Sequence, residues 1–117
     1  MPAPIELPVR AQPPFQEITY AGLPAGTEMV VRLDTAEIIA SLKNRFDSVL
    51  VPERSGFSLQ QEELILSNGT PYRRVWVHYE DSATWSTHGA CGQNIYAWFR
   101  ASGELADVFV EPLVCPI

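Results

Sequence analysis

Tyr72-Arg73-Arg74-Val75-Trp76-Val77-His78-Tyr79 alternates with a period of two, and the reading of the whole chain turns on it. Successive side chains of a strand point to opposite faces. Arg73, Val75, Val77 and Tyr79 therefore share one face, while Tyr72, Arg74, Trp76 and His78 share the other. Neither face is plainly polar. Rings and cations together on the second face imply that something lies against it.

Two strands downstream extend the division. Asn94–Arg100 and Ala106–Glu111 flank Ser102-Gly103, a hairpin turn signal. A two-residue turn there opposes Trp98 to Asp107, Tyr96 to Phe109, Ala97 to Val108 and Ile95 to Val110. Opposed residues share a face. One face then carries Ile95, Ala97, Phe99, Ala106, Val108 and Val110, and reads as core. The other carries Tyr96, Trp98, Arg100, Asp107, Phe109 and Glu111. With Arg74, Trp76 and His78 it makes a ring-rich surface.

Upstream, Asp34-Thr35-Ala36-Glu37 is a capping signal: Asp34 can accept from the first turn and Glu37 can reach back. A helix follows to about Phe46, with Ile38, Leu42 and Phe46 on one stripe and Lys43, Asn44 and Asp47 facing away. Phe15–Tyr20 and Glu28–Leu33 read as a first hairpin around Gly22-Leu23-Pro24-Ala25-Gly26, and Val49–Val51 as a short strand ended by Pro52. Ser58–Asn68 fits two readings. It is a helix capped by Ser58 and Gln61, or Glu63–Ser67 is a strand turning at Asn68-Gly69 into Tyr72–Tyr79; the hairpin is preferred. Five prolines within residues 1–14 exclude helix and central strand and predict an extended arm, apolar on the side of Ile5, Leu7 and Val9. The expected fold is α+β: one amphipathic helix on an antiparallel sheet of about five or six strands, with the arm over 1–14 and a single domain over 15–117.

Composition bounds the function. With 117 residues, 46% hydrophobic and 19% charged, the chain suits one globular domain. The net charge is −6, and residues 81–117 are the most acidic third at −3. An acidic surface repels phosphate backbones, so nucleic-acid binding is disfavoured, and it gives no attraction to anionic membranes. A basic protein partner is favoured by charge, although such a charge also serves solubility alone. No apolar run approaches the roughly 20 residues of a membrane span. The start lacks the basic and apolar regions of a signal peptide, so the chain as written reads as cytoplasmic, or as secreted or periplasmic if a leader has been removed.

Three constellations merit chemistry. Trp, Tyr and Arg dominate interface energetics, which makes Arg74, Trp76, His78, Tyr96, Trp98, Arg100 and Phe109 the candidate binding set. That face is covered by the arm or a loop as a second core, meets another protein or a second copy, or lines a ligand groove. His88 and Cys91, within Thr87-His88-Gly89-Ala90-Cys91, are candidates for a base and a thiolate, but no catalytic-cysteine signature matches. His78, His88 and Cys91 fall short of a zinc set, and no metal or cofactor is expected.

Cys91 and Cys115 are candidates for a disulfide. The register of the last hairpin sets Cys115 opposite Ala90, one residue out of phase, unless a bulge or the break at Pro112 corrects it. The alternative is two reduced thiols. Asn68-Gly69-Thr70 matches a glycosylation sequon, read here as a turn. The expected function is a small non-enzymatic protein-binding module: an inhibitor, an immunity-type partner or an accessory subunit. A small-molecule or cysteine-dependent enzyme domain using His88 and Cys91 is the alternative.

Overall fold

A computed structural model describes residues 3–10, 13, 33–67 and 69–116. Its elements are α1 (Thr35–Arg45), β1 (Ser55–Ser67), β2 (Thr70–Ser86), β3 (Gly89–Phe99) and β4 (Leu105–Val110). The strands form one antiparallel sheet in the order β1-β2-β3-β4, so each pairs with its neighbour in sequence. The fold is α+β with one helix, and the sheet has four strands among the described residues, not five or six. The expected hairpin over Phe15–Tyr20 and Glu28–Leu33 falls largely outside the described residues. Val49–Val51 is no strand: Val49 N–H and Leu50 N–H both donate to the Phe46 carbonyl, which winds this stretch off the helix end.

The helix begins where its cap predicts. Asp34 Oδ1 accepts from the Glu37 N–H at 2.8 Å, filling one of the orphan donors of the first turn. Ile38, Leu42 and Phe46 are buried and join Val75, Val77, Tyr79, Ile95, Ala97, Phe99, Val108 and Val110 in the main core. Ser58–Asn68 resolves toward the hairpin: residues 58–67 lie inside β1, and Ser67 pairs with Thr70. Gly69 stands at φ 78°, a conformation that glycine adopts without steric cost.

Two bulges adjust the alternation. Gln60 is extra in β1, between the pairs Leu59↔Val77 and Gln61↔Trp76. Phe57 and Leu59 thus face the main core, while Ile65, of the same parity, faces the other way beside Tyr72. Ala106 is extra in β4, between Trp98↔Asp107 and Phe99↔Leu105. Leu105 therefore takes the core position expected for Ala106, and Ala106 packs with Trp98 on the second face.

Residues 3–10 cross the core face beside the helix. Gln93 Oε1 accepts from the Leu7 N–H at 2.7 Å, and Gln93 Nε2 donates to the Leu7 carbonyl at 3.1 Å. The Tyr79 hydroxyl donates to the Ile5 carbonyl, and the Ile5 N–H donates to Asp81. Leu7 is fully buried and Ile5 partly so, whereas Val9 is exposed. The expected arm over 1–14 lies partly outside the described residues.

Candidate functional site

The second face of the sheet holds the candidate site. Trp76 opposes Tyr96 and Arg74 opposes Trp98, so Trp76 and Trp98 lie on the same side. The face divides into two parts. Ile65, Tyr72 and Trp98 form a small buried cluster, with Trp98 only 2% exposed. Trp76, His78, Tyr96 and Phe109 are half-buried. The arm contacts described above lie on the opposite face, with Tyr79, Asp81 and Gln93.

The half-buried strip is a continuous run of rings. Trp76 stacks on Tyr96 at 6.3 Å between centroids with planes 16° apart, and Tyr96 meets Phe109 at 5.9 Å. Arg74 sits over the Tyr96 ring at 5.9 Å and pairs across the ladder with Glu63. Burial pushes the Tyr96 phenol above its ordinary value, and the neighbouring Glu111 carboxylate pushes the same way. Tyr96 therefore stays protonated at neutral pH. Arg100 is not part of the strip: it lies exposed just past β3, where its N–H donates to the Glu104 carbonyl.

Asn94 organises the polar end of this face. Its Oδ1 accepts from Trp76 Nε1 at 3.0 Å and stands 3.3 Å from His78 Nδ1. An indole N–H can only donate, so the amide oxygen must face it. The same oxygen then requires a hydrogen on His78 Nδ1, which leaves Nε2 of the neutral ring as an acceptor. The ring is packed over Gly92, where an added Cβ would lie 2.9 Å from both Cε1 and Nε2. A shallow cleft of about 280 Å³ opens here, lined by His78, Asn94, Glu111, Pro112, Val114 and Pro116 among others.

The wall of that cleft is held by a disulfide. Cys91 and Cys115 are bonded, with Cα atoms 4.1 Å apart. The register slips by one residue between Ile95↔Val110 and the bridge Gly92↔Val114. Gly92 and Val114 exchange two backbone hydrogen bonds of 2.9 Å, so Cys91 and Cys115 stand directly opposed. A one-residue slip between Glu111 and Val114, the stretch that holds Pro112, thus supplies the correction that the simple hairpin register lacked. Bonded to Cys115, the Cys91 sulfur has no thiolate to offer as a nucleophile. His88 lies exposed in the turn between β2 and β3.

Two further features escaped the sequence reading. Asp81 is fully buried on the core face, accepting from Arg54 Nε at 2.8 Å, Arg54 Nη2 at 2.6 Å, the Ile5 N–H and the Ala83 N–H. Thr84, also buried, donates to the Asp81 carbonyl at 2.7 Å and accepts from the Cys91 N–H at 2.8 Å. Its hydroxyl bridges the two strands where the ladder of β2 and β3 is interrupted between Asp81 and Ser86. Asp81 and Arg54 are 27 residues apart, and nothing local in either segment marks them as partners.

Arg73, on the core side, pairs with Glu62 at 3.5 Å, as a cation at that position requires. Among the described residues no cluster of three or more His, Cys, Asp or Glu could hold a metal ion. No helix among them is long and apolar enough to cross a membrane. No protein-family model, no curated protein and no solved structure matches the chain.

Proposed function

We propose that this chain is a small non-enzymatic binding module that docks another protein on the strip formed by Trp76, Tyr96 and Phe109. The observation that carries the reading is the preorganised ring run. Each ring is held against the next, Trp76 Nε1 is already engaged by Asn94, and Arg74 is locked between Glu63 and Tyr96. Such a surface loses little side-chain entropy on binding, and half-buried aromatics beside an arginine are the residues that carry interface energy. The net charge of −6 favours a basic partner through faster and more selective encounter. The Cys91–Cys115 bond suits an oxidising compartment, so we place the module outside the reducing cytosol.

The test is affinity capture with the wild type and with a Trp76→Ala/Tyr96→Ala double variant whose melting curve shows that it is folded. The expected result is a specific partner whose affinity falls by about thirtyfold or more in the variant, the loss typical of two interface anchors. Light scattering on the same samples separates this from self-association. A wild-type dimer that dissociates in the variant would assign the strip to a second copy instead. Retention of the partner by the folded variant refutes the reading.

A further inference from the structure

We infer that the cleft beside the disulfide is a receptor for a cationic side chain of the partner protein, with arginine the better fit. This rests on the module reading above and names what the polar end of the face would recognise.

His78 Nδ1 is committed to Asn94, so Nε2 is left as an acceptor. Nε2 has no partner among the described residues, and no buried side-chain nitrogen or oxygen there lacks one. Nε2 is therefore open to solvent on the cleft side of a half-buried residue. Glu111 lines the same cleft; its carboxylate neighbours the Tyr96 hydroxyl, and no ion pair among the described residues neutralises it. Its backbone is fixed, because the Glu111 N–H donates to the Asn94 carbonyl and its own carbonyl accepts from Gln93.

The cleft thus offers a carboxylate and a ring-nitrogen acceptor, set among Pro112, Val114 and Pro116. Apolar walls suit the methylene stem of a long side chain, and a carboxylate with a second acceptor suits its head. A guanidinium carries five donors in a planar fork and can reach two separate acceptors, whereas an ammonium is a single point. An anionic ligand would meet the Glu111 charge with no cation among these lining residues to offset it. The acidic balance of residues 81–117 draws a cation to this end of the molecule.

The probe is N-acetyl-arginine methylamide, with the uncharged citrulline analogue as control, followed by NMR of the oxidised chain. The expected result is saturable shifts of the Gly92, Asn94 and Val114 amides and of the His78 ring. The citrulline analogue and the Glu111→Gln variant should each bind at least about tenfold more weakly, the loss of one charge-assisted contact. Glu111→Gln keeps the backbone bonds that hold the strand, and an unchanged melting temperature verifies this. Equal binding of citrulline, undiminished binding by Glu111→Gln, or no shift at saturating probe overturns the inference. Loss of partner capture in Trp76→Ala/Tyr96→Ala with full capture by Glu111→Gln would refute the cleft and leave the module reading standing.

Discussion

Asp81 is fully buried and yet ionised. Its two oxygens accept from both arms of the Arg54 fork and from two backbone N–H groups, and Arg54 holds its pKa below the ordinary aspartate value of 3.8 against the opposing effect of burial. A carboxyl whose folded pKa is depressed contributes stability that is complete above its ordinary value. That stability is lost as pH falls through the folded pKa. Asp107 carries the same sign: burial pushes it up, but the Arg10 hydrogen bond, the Val108 N–H and the charges of Arg10 and Arg45 outweigh this. We therefore expect Asp81→Asn to be less stable than the wild type at about pH 7, and the difference to shrink towards about pH 2. Urea midpoints across that range measure it; a constant difference at every pH would contradict it. Gly92 is constrained in another way. An added Cβ would come within 2.6 Å of the Tyr79 carbonyl oxygen and 2.9 Å of the His78 ring. Backbone cannot yield as a flexible side chain can, so Gly92→Ala should cost about 1–3 kcal/mol by denaturation. It should also shift the His78 ring resonances.

The faces of β2 and the register of β3 with β4 from Ile95 to Trp98 were legible because alternation holds over those residues. Trp76 and Trp98 could be put on one face, and Tyr96 opposite Phe109, from parity alone. The bulges were not legible. Gln60 sits in an even, polar run and Ala106 in an apolar one, so neither leaves a local mark when it steps out of register. Each reverses the parity beyond it, which is why Ala106 left the main core and Ile65 joined the ring-bearing side. The candidate site was legible as a set of rings. Its division into a buried cluster and a half-open strip was not, because burial depends on what is stacked over the sheet. Asn94 gave no signal either: an amide that positions an indole and an imidazole looks like any strand asparagine. At the C-terminal end, the slip after Val110 is secured by the Gly92↔Val114 bridge and the disulfide. A Cys91→Ser/Cys115→Ser variant should lose about 2–4 kcal/mol of stability, the usual effect of releasing such a loop constraint. Hydrogen exchange at the Gly92 and Val114 amides should quicken to a greater extent than exchange at the Ile95 amide in mid-sheet. Unaltered protection of both amides would show that the bridge does not hold the segment.

Among the described residues, α1 and the segment over residues 3–10 cover the main core. Along its centre the segment has no regular hydrogen-bonded partner strand among the described residues. Side chains from the sheet stand in for one, as Gln93 serves both backbone groups of Leu7 while Tyr79 and Asp81 serve those of Ile5. Near its end the Arg10 N–H donates to the Val110 carbonyl, and Arg10 also pairs with Asp107. Leu7 is fully buried, so Leu7→Ala should create a cavity and cost about 2–5 kcal/mol in thermal or urea unfolding. A loss below about 1 kcal/mol would mean that the segment adds little to the core. The attachment also orders events during biosynthesis. Leu7 is made 86 residues before Gln93, the side chain that receives it. At roughly 5–20 residues per second the ribosome takes about 4–17 seconds to supply that receiver. Until then the apolar segment over residues 3–10 has nowhere to lodge, and a holding chaperone would find its target there.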